Sequence, residues 1–238
     1  MFLTFIENYP FLVAFLLGII PAFIWLWFWL KEDRHPEPAK MLTLAFLGGI
    51  ISVLIVLPIQ KLVYDYLVQH KVLSFTLWAG TEEVIKFLVI YFIALKRKVV
   101  DEPVDDIIYL IVGALGFVTF ENTLFLNELI KDGDFISTLI NGNMRFMGAS
   151  LIHIISSATI GFMLALSFYK KQKERIIYTI IGIILAIVLH TSFNLFIISE
   201  VPGNIFFIFG MVWIGIVVLL LLFEKIKHLK KEGTNIKL

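Results

Sequence analysis

Cysteine is absent from the 238 residues of this chain, and charged residues make up only 16% of it. The absence of cysteine excludes disulfides, a thiolate nucleophile and any metal centre ligated by cysteine. A soluble domain usually has about 25% charged and about 45–50% apolar residues. Here 59% of the residues are hydrophobic and the mean hydropathy is +0.92. This composition indicates a polytopic integral membrane protein.

Lys and Arg are also missing from the first thirty residues. A cleavable signal peptide begins with a basic segment and ends at a cleavage site of small residues. We therefore expect the first apolar segment to be kept in the mature protein as a helix.

Seven apolar segments approach the roughly 20 residues that a helix needs to cross a bilayer. They lie at about 11–30, 41–60, 74–95, 106–129, 144–169, 176–199 and 205–223. Short polar connections separate them. We therefore expect an all-α polytopic bundle of about seven transmembrane helices that forms one domain over residues 1–238. Its core is expected at about 30–200, and residues 224–238 are expected to be a basic cytoplasmic tail.

Basic residues are distributed unevenly between the two sides of this arrangement. The first, third and fifth connections and the C-terminal tail hold fifteen Lys and Arg residues, the opposite side holds four, and Lys86 lies inside a span. Because cytoplasmic segments carry an excess of Lys and Arg, the N-terminus is expected outside and the C-terminus in the cytoplasm. We expect a multi-pass protein of the cell membrane that contacts the lipid bilayer and no nucleic acid.

Four of the expected spans carry ionisable residues, which are Glu82 with Glu83, Glu121, His153 and His190. A carboxylate at bilayer depth costs ~2.5–3.5 kcal/mol by insertion scales, so such residues usually have a function. In the orientation above, each lies eight or nine residues from the outer end of its span, which is roughly 12–14 Å at 1.5 Å per residue. The sequence therefore predicts one polar site in the bundle, closer to the outer face.

Helical spacing adds three neighbours to this site. Lys86 lies one turn from both adjacent glutamates and can neutralise either carboxylate. Asn194 shares a helix face with His190, and Asn122 directly follows the glutamate of the fourth span. Since consecutive helical residues point about 100° apart, one glutamate of the pair is expected to face the site and the other to brace it.

Two versions of amide hydrolysis suit these residue types. A glutamate and two histidines could bind zinc with an open position for water, and a second glutamate would then be the general base. Without a metal, a desolvated glutamate could deprotonate the water, one histidine could protonate the leaving amine, and His190 with Asn194 could donate to the oxyanion. The chain has neither an H-E-x-x-H nor a G-x-S-x-G motif. The residues themselves leave both versions open.

At these residues the chain resembles the PrsW family of membrane proteases, which is related to the CAAX prenyl proteases and to bacteriocin-processing membrane proteases. The resemblance covers about residues 30–195 and rests on Glu82-Glu83-Val-Ile-Lys86, Gly116–Asn122, His153 and His190-Thr-Ser-Phe-Asn194, on successive helices. The loop Asp33–Pro38 is similar to an acidic, proline-rich loop of these proteins.

The resemblance implies an intramembrane endopeptidase that cleaves a single-span, membrane-anchored protein such as an anti-sigma factor near the outer face. Likeness to the CAAX prenyl proteases favours the metal-free version. The expected catalytic residues are Glu82, Glu83, His153, His190 and Asn194, with Lys86, Glu121 and Asn122 in support.

Three other functions are compatible with the polar residues. A proton- or cation-coupled transporter could use a buried Glu/His relay, although no inverted repeat is visible. A b-type haem ligated by His153 and His190 would not explain three buried glutamates. An inactive scaffold that binds membrane proteins is the remaining alternative.

Overall fold

A computed structural model of the chain describes residues 6, 8–33, 35–133, 135–198 and 204–229. The α-helices delimited there are α1 (Pro10–Glu32), α2 (Ala39–Leu67), α3 (Lys71–Ile90), α4 (Pro103–Lys131), α5 (Phe135–Met144), α6 (Ser150–Leu166), α7 (Gln172–Ile198) and α8 (Asn204–Ile226). The π-helical segment Tyr91–Leu95 extends α3, and a second π-helical segment, Arg145–Ala149, directly precedes α6. These residues contain no strand, so the prediction of an all-α fold is confirmed.

Five helices, α1, α2, α4, α7 and α8, are long and apolar enough to cross a membrane. The shorter apolar helix α6 has 17 residues and is prolonged by the π-helical segment before it. Helix α3 has 20 residues but carries three charged side chains in its second half. The prediction of a multi-pass membrane protein is confirmed, while the number of seven spans and the orientation of the termini stay predictions.

Two of the expected connections between spans contain helix. Helix α2 does not stop near residue 60 but runs to Leu67, with Lys61 and Asp65 3.6 Å apart on one exposed face. The expected connection at 130–143 contains α5. A connection between spans can be helical, because backbone hydrogen bonding within a helix does not depend on side-chain polarity.

Helix α4 lies at the centre of the bundle. Of its most apolar 18 residues 83% are buried, against 17–33% in the other four long apolar helices. It packs mainly on α1, α2 and α6. Helix α3 packs against both α2 and α7. Glycine allows the closest approaches, because a Cβ at Gly116 would overlap the carbonyl oxygen of Phe46 and one at Gly49 would overlap that of Gly113. This packing aligns the polar residues of α4 with those of α3 and α6.

Polar side-chain contacts link several connections and helix ends at one end of the bundle. They are Glu37 with the Tyr109 hydroxyl, His35 with Glu102 at 3.2 Å, Asp106 with Arg175 at 3.0 Å and Glu32 with Lys227 at 3.0 Å. The end formed by residues 35–38, 96–102, 167–171 and 227–229 is called the basic end below. The structure thus brings together the connections that the charge pattern assigned to one side.

Candidate active site

Both carboxylate oxygens of Glu83 accept hydrogen bonds inside the bundle. Its Oε1 accepts hydrogen bonds from Lys86 Nζ at 2.7 Å and from His190 Nδ1 at 2.8 Å, and its Oε2 accepts one from Ser157 Oγ at 3.4 Å. The Glu83 and Lys86 side chains are almost completely buried. Glu83 therefore links α3 to α6 and α7, which is the bracing role that one of the two glutamates was expected to have.

Glu82, the neighbouring carboxylate, has an unused oxygen. Its Oε1 accepts a hydrogen bond of 2.6 Å from Gln60 Nε2, whereas its Oε2 is buried and has no hydrogen-bond partner among the residues that the structure describes. This Oε2 lies 3.7 Å from His190 Nε2 and 4.0 Å from His153 Nδ1. An unsatisfied buried carboxylate oxygen is costly, so the arrangement suits a water or a cation held between these three atoms.

The hydrogen bonds of the two imidazoles indicate which nitrogens carry protons. Lys86 Nζ lies 3.0 Å from His153 Nδ1, and an ammonium group can only donate, so Nδ1 accepts and Nε2–H donates to Glu121 Oε2 at 3.1 Å. His190 donates from Nδ1 to Glu83. A neutral His190 therefore presents the lone pair of Nε2 towards Glu82.

Arg145 is a site residue that the sequence pattern did not predict, and it lies in the π-helical segment before α6. Its NH2 lies 3.0 Å from Glu121 Oε2, and its Nε donates to Asn122 Oδ1 at 2.5 Å. From the sequence, Arg145 counts only among the basic residues of the outer side, and Gln60 stands at the end of the expected span 41–60. The sequence does contain one indication that a cation from another helix is needed. Glu121 is a carboxylate within a span, and no Lys or Arg lies one turn away from it on its own helix.

A cavity of about 500 Å³, called the polar cavity below, opens over these groups. Its polar side chains are Gln60, Trp78, Glu82, Glu121, Arg145, His153, His190 and Asn194. Asn194 thus lies beside His190 on the cavity wall, whereas Glu83 and Lys86 are not part of the lining. The structure brings together all eight residues that the sequence singled out, and their roles in catalysis stay predictions.

The residues present fit a zinc ion. Glu82, His153 and His190 each offer one ligand atom, all three side chains are buried, and the atoms lie within 4.8 Å of one another. Glu83 holds His190 through the ring nitrogen that points away from Glu82, as carboxylates commonly do for zinc-bound histidines. Because His153 Nδ1 has one lone pair, an ion bound there would compete with Lys86 for it.

The fold and the site define a class of protein, an all-helical membrane protein with ionisable side chains gathered in one buried cavity. The family model described as PrsW family intramembrane metalloprotease matches residues 37–223, and the chain belongs to this family. The resemblance stated from the sequence is therefore confirmed, and the protein is a multi-pass membrane protease.

Bacterial relatives named Protease PrsW agree with this assignment. The chain is 30% identical to that of Geobacillus kaustophilus (strain HTA426) over 186 residues, which cover 74% of this chain and 76% of the relative. It is 29% identical to that of Clostridioides difficile (strain 630), over 78% of this chain and 79% of the relative. Identity to that of Bacillus subtilis (strain 168) is 24%, with 84% and 90% covered. No solved structure matches the chain.

Proposed function

We propose that this membrane protease is an intramembrane endopeptidase that cleaves a single-span, membrane-anchored protein near the outer face of the membrane. An anti-sigma factor is a candidate substrate by resemblance to the family. The observation that carries the proposal is Glu82 Oε2, a buried carboxylate oxygen without a hydrogen bond that faces two imidazole nitrogens at a cavity.

The position of the polar cavity supports cleavage near one face. Its lining comes from the halves of α2, α3, α4 and α7 that lie away from the basic end, including Gln60, Phe75, Phe125 and Ile197. If the basic end is cytoplasmic, as the charge distribution predicts, the cavity lies towards the outer face.

In the metal-free version, Glu82 is the general base. Its free Oε2 accepts a proton from a water in the cavity, and the resulting hydroxide attacks the scissile carbonyl. His190 Nε2 can receive that proton, because it lies 3.7 Å from Glu82 Oε2, and pass it to the leaving amine. Asn194 donates its side-chain amide to the oxyanion from the cavity wall.

The donor set is also compatible with a metal. A zinc ion held by Glu82, His153 and His190 would supply an activated water and a polarised carbonyl. Glu121 is the other carboxylate of the cavity lining and is then the candidate general base. In both versions Glu83 and Lys86 are positioning residues, since they hold His190 and His153 and do not line the cavity.

Co-expression with an epitope-tagged single-span substrate tests the proposal. The wild type and a Glu128→Gln control, altered at an exposed carboxylate of α4, should release the same fragment. Glu82→Gln should release none while reaching the membrane at the same level. Full cleavage by Glu82→Gln would refute its proposed role.

The metal content of the purified protein distinguishes the metal-dependent version of the hydrolysis from the metal-free one. Elemental analysis of the purified protein should find about one zinc per chain, lost in His153→Ala, if the metal-dependent version is correct. Full activity of zinc-free protein in the presence of a chelator would instead support the metal-free version.

The family match does not favour the transporter alternative. A haem would not account for the carboxylates that bond His153 and His190 in the structure. An inactive scaffold predicts equal substrate levels with wild type and Glu82→Gln, so the same cleavage assay tests it.

A further inference from the structure

A second cavity, of about 620 Å³, lies at the basic end of the bundle. The end of α3 with its π-helical extension, the end of α6 and the first turns of α7 enclose it. It shares no lining residue with the polar cavity. We call it the basic cavity. Its lining includes Phe87, Tyr91, Lys96, Arg97, Arg175 and Ile180.

The lining of the basic cavity carries positive charge only. Lys96, Arg97 and Arg175 belong to the lining, and no Asp or Glu is among its described residues. Asp106, buried behind the wall, fixes Arg175 by accepting from its NH2 at 3.0 and 3.1 Å. Among the described residues these are the hydrogen bonds of the guanidinium group, so Nε and NH1 can donate to another acceptor. The cavity thus presents three cations, one of them held in place, to an anionic ligand.

Most of the remaining lining of the basic cavity is apolar, with Gln172 and Thr179 as its polar residues, and part of this lining is exposed at the side of the bundle. Phe87 is buried, Tyr91 is 38% exposed, and Ile180 is 52% exposed on a face of α7 that also exposes Ile176 and Ile184. Apolar side chains exposed along a membrane-spanning helix face lipid, so the cavity opens towards the acyl chains. A π-helical turn forms one side of it, and such turns are frequent at functional sites.

We propose that the basic cavity binds one anionic phospholipid. Its phosphate lies among Lys96, Arg97 and Arg175, and an acyl chain follows the wall formed by Phe87, Tyr91 and Ile180. Phosphate chemistry alone would also suit a free anion, but a free anion makes no use of an apolar wall that opens to lipid. Basic pockets between transmembrane helices are known to hold anionic head groups.

Native mass spectrometry of the purified full-length protein in detergent tests this site. Titration with phosphatidylglycerol and with phosphatidylcholine of the same acyl chains should show one tightly retained phosphatidylglycerol. Each basic residue near a headgroup changes the affinity about fivefold, so Lys96→Gln with Arg97→Gln should weaken retention roughly 25-fold. Ile180→Trp, which fills the apolar side, should weaken retention without a change in charge.

The matched control carries Lys98→Gln and Lys173→Gln, which remove two exposed charges at the same end but outside the lining. It should retain phosphatidylglycerol as the wild type does. An equal loss in the control would show that diffuse surface charge holds the lipid, and equal retention of phosphatidylcholine would also overturn the proposal. Inorganic phosphate should not displace the lipid at millimolar concentration. If it binds alone with similar affinity, the site takes free phosphate and the proposed occupant is wrong.

Discussion

Two adjacent carboxylates of α3 have different surroundings, and this difference predicts different mutant phenotypes. Glu82→Gln keeps the side-chain shape at the polar cavity but removes the oxygen that can accept a proton, so the variant should fold normally and not cleave. Glu83→Gln leaves the buried Lys86 ammonium without its anionic partner. Breaking a buried ion pair costs roughly 3–5 kcal/mol, so Glu83→Gln should lower the thermal unfolding midpoint.

Both effects can be measured on one set of purified proteins, by cleavage of a tagged substrate and by thermal unfolding in detergent. Combining Glu83→Gln with Lys86→Met removes both buried charges, so this double variant should regain part of the lost stability. Wild-type activity in both single variants would reject a catalytic site at this pair.

Asn194 is the candidate oxyanion donor of the polar cavity. Loss of one such donor typically lowers the rate ~10²–10³-fold, which corresponds to about 2.7–4 kcal/mol. Asn194→Ala should therefore be a slow protease whose KM is little changed, since the donor acts on charge that develops in the transition state.

Ser192→Ala provides a control on the same helix, because Ser192 lies outside the lining of the polar cavity. It should keep wild-type kinetics. A change in KM without a change in kcat for Asn194→Ala would identify Asn194 as a substrate-binding residue and not as an oxyanion donor.

At the scale of the helix, the contact between α2 and α4 determines where Glu121 lies. A side chain at Gly116 would meet the backbone of Phe46, which cannot rotate away. Overpacking of this kind usually costs about 1–3 kcal/mol. Gly116→Leu should therefore lower the unfolding midpoint and reduce cleavage, because it moves α4 and with it Glu121 away from His153.

Gly210→Leu is the matched control, since Gly210 on α8 has open space around its missing Cβ. It should leave both the unfolding midpoint and cleavage unchanged. Equal stability of the two leucine variants would mean that α2 and α4 are not packed backbone to backbone.

The positions of the helices could be predicted from the sequence more fully than their ends. Long apolar runs locate spans because lipid requires them, but nothing in the composition marks where a helix stops outside the apolar region. For this reason the expected span bounds did not include the continuation of α2 to Leu67 or the helix α5 within a connection. Helix α3 likewise begins at Lys71, before the expected span start at residue 74, so Glu82 lies eleven residues from the start of the helix.

The members of the site could be predicted where polarity alone made them unusual. Glu82, His153 and His190 stand out because they are ionisable within apolar segments. Gln60 and Arg145 lie near span ends, where polar residues are common, so only the packing of helices shows that they bond Glu82 and Glu121. The separate surroundings of Glu82 and Glu83 likewise depend on contacts from α6 and α7, which spacing within α3 does not contain.

At the scale of the whole molecule, the orientation in the membrane can be tested with reporter fusions. Fusions after Lys98, Lys173 and Lys231 should report a cytoplasmic location, and a fusion near Gly133 should report an external one. The reason is the division of Lys and Arg between the two sides, fifteen against four. An external signal after Lys173 would reverse the orientation and would place the polar cavity towards the cytoplasm.

The enclosed position of α4 has a consequence for the synthesis of the protein. Its most apolar window has a mean hydropathy of 1.7, against 2.3–2.9 in the other four long apolar helices, and its neighbours cover it on most sides. Chains are made from the N-terminus, so α4 leaves the ribosome before α6 and α7 exist. Until these arrive, Asp106 and Glu121 lack Arg175 and His153 as partners. Biogenesis therefore passes through an incomplete bundle whose least hydrophobic long span is not yet sheltered.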